Sequence, residues 1–143
     1  MRITSVRSKT AAAALAIGIT AGGVAMAAPA DAVTGGTYCG ATQQFAGDVY
    51  AQACLAVSGY AVQPSIHVTN HGSHTVSGTT WVNHLGSYED YASCDGMTAT
   101  DPGTWCNAGW DWIGSNSYAQ AQGSLVIDGV WYGKLFSPSE YIN

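Results

Sequence analysis

The chain has 143 residues, of which 47% are hydrophobic and only 9% charged, and its formal net charge at pH 7 is −5. Three of its four basic residues, Arg2, Arg7 and Lys9, lie in the first nine positions. Without residues 1–32, which also hold Asp31, Lys134 faces eight carboxylates, a balance of −7 that repels phosphate backbones and anionic lipid; nucleic-acid and membrane partners are excluded, and neutral or cationic ones remain.

Residues 1–32 run from the basic start through an uncharged stretch, Thr10 to Ala30, to the small-x-small sequence Ala30-Asp31-Ala32. That order predicts a secretory signal peptide cleaved after Ala32, with a second possible site after Ala27. A retained membrane span is the competing reading, but the run is mostly Ala, Gly and Thr. Residues 33–143 are then one exported β domain, near the size at which a lone hydrophobic core is marginal. Its four cysteines, Cys39, Cys54, Cys94 and Cys106, predict two disulfides. Three pairings are possible, and the short loops favour Cys39 with Cys54 and Cys94 with Cys106. No C-x-x-C pair is present to suggest zinc.

In chain order, Val33 to Phe45 is Gly- and Thr-rich and is expected to be extended, tied down at Cys39. Val49, Ala51, Ala53, Leu55 and Val57 alternate with more polar residues, the period of a half-buried strand. After Gly59 the alternation continues through Tyr60, Val62, Ile66 and Val68. Pro64 cannot donate to a ladder and predicts an edge strand or a bulge there. Asn70 to Ser73 reads as a hairpin turn into Val76, Trp81, Val82 and Leu85, with a bulge expected at Gly78. From Gly86 to Ser117 the pattern fails, although this stretch holds five carboxylates and three tryptophans. Tyr118 to Ile127 alternates again, Asp128-Gly129 predicts a type I′ hairpin turn, and Val130 to Phe136 returns as a strand. Six or seven short strands without helical periodicity predict an all-β fold, an antiparallel two-sheet β-sandwich of Ig-like or Greek-key type.

Cys39-Gly40, the run Val49 to Val57 with Cys54, the stretch Ile66 to Ser73, Thr104-Trp105-Cys106 and the hairpin Leu125 to Lys134 together resemble a group of small secreted actinobacterial proteins. That resemblance implies a secreted β-sandwich with two disulfides and no assigned activity. It supplies no catalytic residues.

Four histidines, His67, His71, His74 and His84, cluster in sequence. A metal site needs three of them on one face, but the register that turns Val68 and Val76 inward sends His67 and His74 to opposite sides; neither metal nor cofactor is assigned. A glycosidase needs two opposed acids, and nothing in the spacing of Glu89, Asp90, Asp95, Asp101 and Asp111 selects a pair. Catalytic residues are therefore not assigned, and a small secreted hydrolase is kept as an alternative.

The aromatic residues are more suggestive. Trp105 precedes a half-cystine and is expected to pack against the disulfide. Trp110 and Trp112 share one strand face if the chain is extended there, with Asp111 opposite. Trp110, Trp112, Tyr88 and Asp111 are the candidate ligand-binding residues: rings to stack on sugars, a carboxylate to bind hydroxyls. The expectation is a secreted, monomeric, non-enzymatic protein that binds neutral polysaccharide or an extracellular protein. The runner-up is a peptidase inhibitor presenting the closed loop from Cys94 to Cys106, in which Asp95 to Trp105, containing Met97, would form an extended bait segment. Ile127 to Lys134 resembles a local run of the secreted subtilisin-inhibitor family, a likeness confined to one hairpin.

Overall fold

Small and β-branched residues at alternate positions can bury one face of a strand while the other meets solvent, and the four longest of the eleven strands among this chain's described residues follow that pattern over much of their length. The computed structural model describes Val33, residues 35–98 and residues 103–143. The expected signal peptide lies outside them. The strands are β1 (Gly35–Cys39), β2 (Gln43–Gln44), β3 (Val49–Ser58), β4 (Ala61–Asn70), β5 (Val76–His84), β6 (Ser87–Cys94), β7 (Thr104–Asn107), β8 (Asp111–Trp112), β9 (Ser117–Ile127), β10 (Val130–Phe136) and β11 (Glu140–Ile142).

They form two antiparallel sheets packed face to face as a β-sandwich. The first runs β1-β3-β4-β7, with β2 continuing the β1 edge and β8 continuing the β7 edge. The second runs β10-β9-β5-β6, and β11 pairs with β9 beyond the end of β10. Between the sheets, Val49, Ile66, Val68, Val76, Leu125 and Leu135 fill one end. Leu55, Val57, Val62, Val82, Ala119 and Ile142 fill the other. Each fully buried side chain of this size stabilises the fold by about 1.5–3 kcal/mol relative to exposure.

Four local expectations differ from what is found. β4 is not an edge strand and carries no bulge at Pro64: its ten residues pair in unbroken register with β3. The proline is tolerated because its carbonyl, which accepts the Ala108 N–H at 3.0 Å, points to the other side of the strand, and its ring nitrogen points the same way. There β7 has ended at Asn107 and β8 has not begun, so no ladder bond is lost. Gln63 Nε2 closes the gap by donating to the Ala108 carbonyl at 2.8 Å.

Gly78 makes no bulge either; it pairs with Cys94 on one side and Leu125 on the other. The bulges fall elsewhere, between Trp81 and Val82 in the β5–β6 ladder and between Tyr132 and Leu135 in the β9–β10 ladder. Asn70 to Ser73 is a crossover rather than a hairpin turn, since β4 and β5 belong to different sheets. Buried Asn70 shapes it: Nδ2 donates to the His74 carbonyl at 2.7 Å, and Oδ1 accepts the Gly72 N–H at 3.2 Å. Finally, much of the aperiodic stretch from Gly86 to Ser117 is pleated as β6, β7 and β8. These strands occupy sheet edges or are only two to four residues long where they follow β6, so no long hydrophobic alternation develops.

The disulfides are Cys39–Cys54 and Cys94–Cys106. The first links directly paired residues of β1 and β3. The second joins β6, the edge of one sheet, to β7, the edge of the other, and so closes one side of the sandwich. The Asp128-Gly129 turn has positive φ at both residues, 50° and 80°, as the dipeptide predicts.

Candidate functional site

Alternation decides which aromatic rings reach solvent. Cys106 points inward to its disulfide, so its neighbour Trp105 must point outward, and it is 46% exposed rather than packed on the disulfide as expected. Its indole stacks on His67 of the adjacent strand, ring centroids 4.4 Å apart. Trp112 pairs with Ala61 at the start of β4 and meets Tyr60 edge-on at 5.5 Å. Trp110 and Trp112 are both exposed, and Asp111 between them is half-buried, its Oδ2 shielded from solvent without a hydrogen-bond partner among the described residues.

Tyr88 does not join this group. It lies on β6 of the other sheet, so the four candidate residues Trp110, Trp112, Asp111 and Tyr88 are divided between the two layers. The ring partner of Tyr88 is Trp81, edge-on at 6.3 Å. Sequence reading placed Trp81 only as a strand residue, because a tryptophan inside an alternating run gives no sign of which sheet lies behind it.

Two bulges build the site around Tyr88. In β6 the pairing steps from Tyr91 opposite Trp81 to Glu89 opposite Val82, leaving Asp90 as the extra residue. Residues 88 and 91 are three apart and in a regular strand would face opposite ways; the inserted residue brings both to the outer face, opposite Asn83 and Trp81. Lys134 sits in the second bulge, where β10 carries one residue more than β9 between Tyr132 and Leu135. From there its side chain crosses β9 to reach β5 and β6. Lys134 Nζ lies 5.7 Å from the Trp81 ring centroid and 5.4 Å from that of Tyr88.

The result is a cleft of about 340 Å³ on the outer face of the second sheet, lined by Thr79, Trp81, Tyr88, Glu89, Tyr91 and Lys134. Tyr88 and Tyr91 are 62% and 78% exposed. Trp81 is half-buried, and its Nε1 donor has no partner among the described residues; the same holds for Oε1 of Gln122, its cross-strand neighbour. The walls are aromatic, with one carboxylate, one ammonium and the hydroxyls of Thr79, Tyr88 and Tyr91. Such a surface can stack a flat apolar ring face and hydrogen-bond at its rim.

The other candidates separate. His67 lies on the outer face of the first sheet, while His71 and His74 flank the crossover, with Tyr50 beside His71 at 6.0 Å. His74 Nδ1 meets Asp128 Oδ2 at 2.6 Å. Asp128 Oδ1 also accepts the Thr75 N–H at 2.9 Å, and these bonds, the histidine's first, hold the Asp128 carboxyl below its ordinary pKa. His84 closes β5, opposite Ala119 and Ser87. Among the described residues no three His, Cys, Asp or Glu side chains gather as a metal centre would require. Of the five acids, Glu89 enters the cleft, Asp95 is exposed, Asp111 is half-buried on the first sheet, and Asp101 lies outside the described residues.

Met97 is not presented as bait. Its side chain is buried in the core, and its N–H donates to the Val76 carbonyl at 2.9 Å. Residues 99–102 of that loop lie outside the described residues.

No protein-family model matches the chain, and neither a curated protein nor a solved structure matches it.

Proposed function

We propose that this is an exported, disulfide-held binding protein that takes polysaccharide through the aromatic cleft on its second sheet, and that its role is contact rather than turnover. The observation that carries this reading is the grouping of Trp81, Tyr88 and Tyr91 in one cleft that Glu89, Thr79 and Lys134 also line. The leader sequence in residues 1–32 and the two disulfides support export. The balance of −7 without that leader supports an uncharged or cationic ligand over phosphate or anionic lipid.

Tyr88 is retained from the sequence-based candidates, and Trp81 and Tyr91 replace Trp110 and Trp112 as its partners. Depletion of the protein from solution by insoluble chitin, cellulose and bacterial cell wall tests the assignment. Tyr88→Ala/Tyr91→Ala is expected to weaken retention by about tenfold, the loss of two ring contacts of about 0.5–1.5 kcal/mol each. Trp110→Ala/Trp112→Ala is expected to leave it unchanged. Retention that survives the tyrosine pair and fails with the tryptophan pair moves the site to the first sheet; no retention on any of the three ends the reading.

A further inference from the structure

We infer that the ligand of this cleft carries an ammonium group, and that the polysaccharide it takes is one built from free amino sugars. The inference rests on the polysaccharide reading above and names its substrate class. It starts from Lys134. The Nζ of this residue stands over two rings at once, within 6 Å of the centroids of both Trp81 and Tyr88. The negative faces of aromatic rings attract a cation there, so one wall of the cleft is already a cation site, filled by the chain's own ammonium.

That occupant is replaceable. Lys134 projects from a bulge, is exposed, and reaches the rings on a flexible four-carbon stem. Glu89 lines the same cleft, and apart from Lys134 the residues after position 32 bring eight carboxylates and no other lysine or arginine. An incoming ammonium is therefore favoured by the field of the domain as well as by the rings. Hexosamine units combine the two features the cleft recognises. The apolar face of the pyranose can stack on Tyr88 or Tyr91, and its amine can take the place that Nζ holds. An N-acetylated sugar keeps the first feature and loses the second, and a lysine peptide keeps only the second.

Titration calorimetry with soluble glucosamine oligomers, N-acetylated oligomers of the same length and an oligolysine of the same charge separates these cases. The free-amine oligomer is expected to bind tightest, at least about fivefold tighter than its acetylated counterpart. Lys134→Met should tighten it a further two- to fivefold or so by vacating the rings, as expected for an exposed cation–π contact. Glu89→Gln should weaken it, and added salt should shrink that difference. Tyr91→Ala, an exposed position where folding is not at stake, should weaken it too. Equal or tighter binding of the acetylated oligomer, or weaker binding by Lys134→Met, overturns the ammonium inference and leaves the polysaccharide reading standing. Oligolysine binding as tightly as the amino sugar overturns it as well, since charge alone would then be read. Failure of both sugar oligomers with retention on cellulose again overturns only this inference; failure of both with no retention on any insoluble polysaccharide ends the reading it rests on.

Discussion

The Cδ1 methyl of Ile66 on β4 lies over the bare Cα of Gly78 on β5, across the interior from one sheet to the other. A Cβ at Gly78 would overlap that methyl and press on Met97 Sδ at 3.0 Å; a Cβ at Gly123 would instead overlap Ile66 Cγ2. Neither glycine has a positive φ, so each is required for its lack of volume and not for its backbone freedom. Gly78→Ala and Gly123→Ala should each destabilise by about 1–3 kcal/mol through overpacking. Ile66→Val, alone worth about 0.5–1.5 kcal/mol, removes Cδ1 and keeps both γ carbons. It should therefore rescue Gly78→Ala in part and Gly123→Ala hardly at all. Urea unfolding of the two double mutants checks this, and equal rescue of both would contradict the placement of Ile66.

Removing the Cys94–Cys106 link as a double alanine variant should lower stability by about 3 kcal/mol on the chain-entropy estimate for its loop. The buried Cys106 leaves space between the sheet edges as well. Hydrogen exchange should show β6 and β7 opening together in that variant. If β7 keeps its protection, it is held by β4 alone.

The pH response of Asp128 has a definite sign. Its folded-state pKa lies below the ordinary carboxylate value, through the bond to His74 first and the Thr75 N–H second. The unfolded chain therefore binds the proton more readily. The stabilisation is fully present above the ordinary carboxylate pKa and is lost as pH falls through the lower folded-state value. Asp128→Asn keeps a residue that tolerates positive φ in the turn and removes the ionisation. Wild type should lose stability relative to this variant as pH falls through the carboxylate range. Denaturant midpoints across pH decide it; parallel curves throughout would show that the carboxylate does not titrate with folding.

The β5–β6 turn consists of Leu85 and Gly86 at φ 49° and 83°. A leucine in the left-handed region is strained, and Leu85 is 76% exposed, so packing returns nothing. Leu85→Asn should raise stability by about 1 kcal/mol, visible as a higher melting temperature. A fall would mean that the leucine makes contacts its exposure does not reveal.

Much of the fold was legible because its signals are local. Val49 to Val57 and Tyr118 to Ile127 alternate with period two, and Asp128-Gly129 names its own turn. The short spacings of Cys39 with Cys54 and Cys94 with Cys106 favoured the pairing that is found. Pro64 misled because an edge strand is one way to excuse a missing donor, and a gap between two short neighbouring strands is another. Leu85-Gly86 was missed as a turn because no local preference places leucine there.

The site was less legible for a related reason. Tyr88, Tyr91 and Lys134 come to one face only because each ladder carries a bulge, and a bulge is a property of the pairing between strands. Composition and periodicity by themselves determined an acidic, disulfide-bearing, two-layer β domain, since charge, cysteine count and side-chain alternation are carried by each segment alone. Which sheet each strand joins, and so the separation of Tyr88 from Trp110 and Trp112 and its meeting with Trp81 and Lys134, was decided by the tertiary structure. Those choices depend on how whole strands register against one another and on the space that Gly78 and Gly123 leave for Ile66, and no single stretch of chain contains that information.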